Sequence, residues 1–168
     1  MKALVSTRVG GPETLEVVDL PSPAPGPGEV RLRVIAVGVN FPDTLMIEDR
    51  YQFRPERPFS AGGETVGEIV ELGDGVDGLQ VGERVIALSN HGGMSEEMIA
   101  DVAQCFQLPA GADPVEGAAL IFTYGTNMHG LIDRGRLKAG ETLLVLGAAG
   151  GIGTAAVEIG KAIGARVV

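Results

Sequence analysis

Residues 141–168 read ETLLVLGAAGGIGTAAVEIGKAIGARVV. Glu141–Gly147 is an apolar run of the kind found in buried strands, followed by a sharp glycine turn. A helix of small residues comes next, and ARVV begins a second strand. Strand, glycine turn, helix, strand is the opening of a βαβ unit with parallel strands. The turn itself is Ala148-Ala149-Gly150-Gly151-Ile152-Gly153. At such a place free backbone N–H groups and the positive end of a helix dipole meet an anion, above all a pyrophosphate. Gly150 and Gly151 remove side chains from the path of approach, and Gly153 lets the helix pack closely on the strand. The pattern is the dinucleotide fingerprint G-x-G-x-x-G with alanine in its first position. Ala149, Gly150, Gly151, Ile152 and Gly153 are therefore candidate cofactor-binding residues; a turn of this kind also occurs without any ligand. The residue that separates NADPH from NADH falls about 20 positions further on, at or past Val168. A parallel sheet this small cannot cover its own faces, so we expect the natural protein to be longer than this chain.

Upstream the grammar differs. Lys2–Thr7, Leu15–Leu20, Val30–Val39, Glu64–Leu72, Val81–Leu88, Met94–Val102 and Cys105–Leu108 read as short strands separated by glycine turns. Val30, Leu32, Val34 and Ala36 share one face of their strand, and Arg31, Arg33 and Ile35 share the other. The stretch PSPAPGPGE (Pro21–Glu29) is too rich in proline for helix and serves as an extended connector. Phe41–Asp49 reads as a short helix with Asn40 in the cap position. This is the pattern of a barrel-like β domain. From Asp113, an acidic, proline-containing start and helical apolar spacing predict a helix that stops at Gly135. The fold class is thus α/β overall: a β-barrel domain over residues 1–112, then a linking helix and an incomplete βαβ domain over 113–168.

Composition narrows the function. The chain carries a net charge of −9, which argues against nucleic acid or an anionic membrane as partner. A single cysteine, Cys105, excludes a disulfide framework and any multi-thiolate zinc site within these residues. No apolar stretch is long enough to span a membrane, and the N-terminus reads as a strand rather than a signal peptide, so a cytoplasmic location is expected. His91 and His129 lack the spacing of a metal pair and read as a loop residue and a helix residue.

Taken in order, the strand-rich start, GVNFPD, PFSAGGE, VGERV, AALIFTYGT and GAAGGIG resemble the medium-chain dehydrogenase/reductase superfamily. More closely, they resemble its zinc-free quinone oxidoreductase branch, the zeta-crystallin-like enzymes. The resemblance runs over the whole chain and implies a GroES-like β domain followed by a Rossmann domain. Zinc alcohol dehydrogenases of the superfamily place ligands where this chain has Asn40, Gly63 and Phe122. Glycine and phenylalanine cannot ligate zinc, and asparagine is a poor ligand for it, so no zinc is expected.

The resemblance also implies site residues. Asn40, at a former ligand position, is a candidate to donate to a substrate oxygen or to anchor the nicotinamide ribose; as a bare residue it is also a helix cap. Tyr51 matches a tyrosine that reaches the substrate pocket, and on its own reads equally as a packed surface tyrosine. Thr126 matches a threonine near the nicotinamide, and is otherwise an ordinary helix residue. Asp43 reads as a hydrogen-bonder fixing its loop, Glu64 as a buried structural partner, and Cys105 as inert packing. Leu45, where relatives carry a second tyrosine, makes the pocket more apolar. The implied activity is hydride transfer from NADPH, with NADH as the other option, to a small quinone or enone, in a protein that is a homodimer when full length. An enoyl-thioester reductase is the alternative within this class, and a non-catalytic binding module the alternative outside it.

Overall fold

A computed structural model describes residues 1–168. The chain forms two compact units, Met1–Ala119 and Leu120–Val168.

The first unit contains β1 (Lys2–Ser6), β2 (Leu15–Asp19), β3 (Glu29–Gly38), α1 (Phe41–Ile47), β4 (Phe59–Ser60), β5 (Glu64–Leu72), β6 (Arg84–Leu88), β7 (Glu97–Asp101), β8 (Cys105–Gln107) and α2 (Pro114–Gly117). Its strands make a five-stranded sheet in the order β7-β3-β5-β6-β8 and a three-stranded sheet in the order β2-β1-β4. All pairings in both are antiparallel. The sheets are stitched together rather than closed by one continuous ladder. Ala3 bridges Ser95, and the Leu4 N–H donates to the Met94 carbonyl at 2.8 Å. This crossing explains why the predicted strand Met94–Val102 is regular only from Glu97: residues 94–96 turn across to β1.

The alternation predicted for β3 sets the core. Val30 and Leu32 are fully buried and pack with Ile69, Val85, Ala87, Met98 and Ala100. On the other face Arg31 pairs with Glu71 at 2.7 Å and Glu97 at 3.0 Å, and Arg33 with Glu68 at 2.6 Å. Such cross-strand pairs fix register more than they stabilise, so the stability resides in the apolar layer. Leu32→Ala is expected to cost about 2–5 kcal/mol, read as a lower urea midpoint with an unchanged slope.

Two further boundaries in this unit differ from the sequence reading. The strand predicted from Val81 begins at Arg84, because the preceding residues fold into a turn pinned by the Gly82 N–H to the Ile69 carbonyl at 2.8 Å. The composition changes at Asp113, yet the first compact unit runs through Ala119. The reason is that α2 packs on β3 and β5, burying Gly117 and Ala118. Its start is capped by the Asp113 carboxylate, which accepts from the Val115 N–H at 2.8 Å.

In the second unit the helical run stops at Gly135, as its sequence indicates. It is not one α-helix: Ile121–Gly125 and Met128–Arg134 are wider, π-type turns. Gly125 and Gly130 lie in these segments and weaken the tighter α ladder. The βαβ element follows as β9 (Thr142–Leu143), α3 (Gly151–Ile163) and β10 (Arg166–Val167), with β9 and β10 parallel. The buried face of α3 is Gly153, Ala155, Ala156, Ile159 and Gly160. These small residues bring the helix close to β9. The predicted strand Glu141–Gly147 is shorter than its composition suggests, and Leu144 and Leu146 are exposed. Two residue pairs form the β9–β10 ladder, which the Val145 N–H extends by donating to the Val168 carbonyl at 2.8 Å. No helix of the structure is long and apolar enough to cross a membrane.

Candidate functional site

Asn40 is held by the sequence around it. Pro42 lies in the first turn of α1, where its missing N–H costs nothing, and Asn40 takes the extended backbone of a cap residue. Its own N–H donates to the Asp43 carboxylate at 2.7 Å, the reciprocal half of a capping box. The other Asp43 oxygen accepts from the Gly62 N–H at 2.9 Å. Asp43 therefore ties the start of α1 to the segment before β5, and is spent on structure. The Asn40 side-chain amide donates to Glu64 Oε2 at 3.4 Å. Glu64 is fully buried at the first position of β5, beside Gly38 at the end of β3. A methyl group at Gly38 would lie 2.2 Å from the Ala118 carbonyl oxygen and 3.2 Å from Glu64 Oε2, so that position admits no side chain. A buried carboxylate thus orients the Asn40 amide while a second carboxylate fixes its backbone. The amide nitrogen has a second hydrogen to offer.

Tyr51 is half-buried and packs against Met46, Ile47, Phe59 and Ala61, so its ring has a defined seat in the first unit. His91 is a loop residue whose ring stacks on Phe53 and meets Phe59 edge-on, and burial lowers its pKa from the ordinary value. His129 lies on a helical segment and pairs with Asp133 at 3.2 Å. The Cys105 thiol is pushed up to about 11, by burial first and by the nearby Asp101 charge second. A thiol so placed is a poor nucleophile at neutral pH. At pH 8, alkylation of Cys105 in the folded protein is expected to run on the order of 10²-fold slower than in urea, followed by mass spectrometry.

In the second unit, the turn before α3 has the geometry of an anion cradle. Gly147 has φ of +74°, a left-handed conformation that side chains rarely adopt, and its carbonyl accepts from the Gly150 N–H at 3.1 Å. The Thr154 N–H makes the first intrahelical bond, to the Gly150 carbonyl at 2.8 Å. The N–H groups of Gly151, Ile152 and Gly153 precede it and have no intrahelical acceptor. No acidic residue sits in the first turn of α3 to compete for them. A methyl group at Gly153 would lie 2.3 Å from the Gly147 carbonyl oxygen and 2.7 Å from Ala148 Cα. Gly153 therefore packs against the turn itself, whereas Ala149 and Gly150 lie exposed on its outside. A pyrophosphate fits this donor set. Thr126 is exposed between the two wide helical segments.

Two residues that shape the turn were not singled out from sequence. Gly147 shapes it through its positive φ; a glycine at the very end of a strand is the signal. Asn127 is buried, and its side-chain amide donates to the Thr123 carbonyl at 2.9 Å and the Ile152 carbonyl at 2.8 Å. It braces the glycine turn against the preceding helix. An asparagine in the interior of a helical pattern is itself unusual enough to mark it.

An antiparallel β unit with a buried carboxylate behind an asparagine, followed by a glycine-turn βαβ unit, has the two-part layout that the sequence resemblance implies for the medium-chain dehydrogenase/reductase superfamily. Residues 26–110 match the family described as "Alcohol dehydrogenase GroES-like domain". The chain is 36% identical over 169 residues to "Quinone oxidoreductase" of Rattus norvegicus, covering 99% of this chain and 51% of that protein. Among solved structures it is similar to the quinone oxidoreductase from Thermus thermophilus, reported together with its complex with NADPH. That likeness has TM-score 0.86 and 41% identity, over 99% of this chain and 52% of that one. It is also similar to the apo form of JamJ enoyl reductase, with TM-score 0.90 and 29% identity, over 99% of this chain and 53% of that one. The chain belongs to the alcohol dehydrogenase GroES-like family and, within the medium-chain dehydrogenase/reductase superfamily, to the quinone oxidoreductase branch. It spans about half the length of the relatives it matches.

Proposed function

We propose that this chain supplies the acceptor-binding and pyrophosphate-binding parts of a zinc-independent reductase that uses NADPH to reduce a quinone or an α,β-unsaturated carbonyl. The observation that carries the proposal is the Asn40 amide, oriented by Glu64 and steadied by Asp43. In this arrangement the former metal position presents a hydrogen-bond donor, and Gly63 and Phe122, at the other two ligand positions, offer no ligating side-chain atom. NADPH as the cofactor is supported by the relative from Thermus thermophilus.

The Gly151, Ile152 and Gly153 N–H groups bind the pyrophosphate, and the dipole of α3 adds to their pull. Ala149 and Gly150 leave its path clear. When bound, the nicotinamide supplies the hydride. Asn40 donates its free amide hydrogen to the acceptor oxygen, where negative charge grows as the acceptor is reduced. Glu64 keeps that amide from rotating. Tyr51 and the apolar Leu45 border a flat acceptor, and Thr126 orients the cofactor's nicotinamide end. Water delivers the proton that completes reduction, since Asp43 and Glu64 are already engaged.

The enoyl-thioester reading is favoured by the likeness to JamJ enoyl reductase. The two readings separate in one assay on the intact protein: NADPH oxidation with 1,4-benzoquinone against a crotonyl thioester. Faster turnover of the benzoquinone supports the quinone reading; turnover of the thioester alone replaces it.

A further inference from the structure

Between α1 and β4 the chain runs through a loop, residues 48–58, that carries Tyr51. It has no strand or helix of its own; the Asp49 and Arg50 N–H groups tie its start back to α1, donating to the Met46 and Leu45 carbonyls at 3.1 and 2.8 Å, and two side-chain anchors tie the rest to the β domain. One anchor is at its end. Arg57 donates to the Met46 and Ile47 carbonyls at 3.3 and 3.0 Å, capping the C-terminus of α1, and to Ser6 Oγ at 3.2 Å. Its guanidinium also lies over the Phe59 ring, 5.4 Å from the centroid. The other anchor comes from outside the loop. The His91 ring is stacked on Phe53, with centroids 5.9 Å apart and planes 16° apart, and meets Phe59 edge-on at 5.8 Å. The backbone beside His91 is itself fastened, since the Gly92 N–H donates to the Ser60 carbonyl at 2.7 Å and the Gly93 N–H to the Gly62 carbonyl at 2.9 Å.

Phe59 is the shared plate of this assembly: Tyr51 packs on the cluster that contains it, Arg57 covers it, and His91 meets its edge. Phe53 stands two residues from Tyr51. A ring at position 91 thus holds the middle of the loop against the β domain, as Arg57 holds its end. We infer that His91 is a positioning residue which, through its stack on Phe53 and its edge contact with Phe59, sets the place of Tyr51 beside the acceptor. The inference rests on the reading that Tyr51 borders the acceptor. The depressed pKa of the half-buried imidazole agrees with it, since the ring is then neutral near pH 7 and stacks as an aromatic plate.

The chain has two tyrosines and no tryptophan, so labelling with 3-fluorotyrosine and assigning by Tyr51→Phe lets 19F NMR watch Tyr51 while Tyr124 serves as internal reference. In His91→Ala the Tyr51 resonance is expected to move toward the position of a solvent-exposed tyrosine, while Tyr124 stays in place. The Michaelis constant for 1,4-benzoquinone should rise about fivefold, the scale of one or two lost aromatic contacts, with turnover changed by less than about twofold. His91→Phe keeps both ring contacts and should restore both readouts. Phe53→Leu removes the stack from the other side and should reproduce the displacement if His91→Ala fails to fold. A Tyr51 resonance unmoved by loss of either ring, or moved equally by His91→Phe, overturns the inference. A wild-type protein that reduces no quinone defeats the functional proposal instead, and leaves the NMR comparison to decide the role of His91.

Discussion

Gly153→Val is expected to weaken NADPH binding by on the order of 10²-fold. The atoms that a side chain at this position meets are backbone, the Gly147 carbonyl oxygen at 2.3 Å and Ala148 Cα at 2.7 Å, so no rotamer change makes room. The turn must open. Opening it displaces the N–H groups at the start of α3 from a common target. Each hydrogen bond to a charged group is worth roughly 1.5–3 kcal/mol, and loss of two gives at least the stated factor. Gly150→Ala is the informative companion. Its added methyl meets only the Gly147 carbonyl oxygen, at an ordinary 3.6 Å, so the turn keeps its shape. Any loss of affinity there reports a clash with the ligand itself. Calorimetric titration of both variants, with far-ultraviolet dichroism to show α3 intact, checks the prediction.

Asn40→Ala is expected to lower turnover by on the order of 10²-fold, the usual cost of removing one donor to a developing oxyanion. The fold should survive this change. The bond that closes the cap runs from the backbone N–H of residue 40 to Asp43, and alanine keeps that N–H. Loss of the donor to the buried Glu64 adds to the cap effect, so the stability cost is expected at roughly 1–2 kcal/mol. Asn40→Asp should be worse than alanine, because it sets a second carboxylate against the buried Glu64. Steady-state kinetics alongside thermal melts separates the two effects: a large fall in turnover with a melting temperature lowered by only a few degrees is the expected pair.

Much of this architecture was legible from local chemistry. The bounds of β5 are those its β-branched run suggests, the Asn40 cap follows from a polar residue ahead of a proline-containing turn, and α3 starts at the predicted glycines. What the sequence hid is nonlocal. Val81 belongs to an apolar run but lies outside β6, because a turn pinned from Ile69 takes precedence. Leu144 and Leu146 read as buried, yet exposure depends on which strands lie beside them. The pairing of Asn40 with Glu64 joins residues on different elements, and the contact of His91 with Phe53 joins two loops. Spacing along the chain encodes neither. Asn127 shows the intermediate case: its residue type is out of place in a helix, but only the fold reveals that it braces Ile152.

The central claim is that hydride chemistry at this site runs on protein hydrogen-bond donors without a metal. It is tested most directly by following NADPH oxidation with 1,4-benzoquinone in the intact protein before and after exhaustive chelation. Turnover at an undiminished rate, with no stoichiometric zinc found by elemental analysis, is the predicted result. Activity that disappears with the chelator and returns on adding zinc would contradict it.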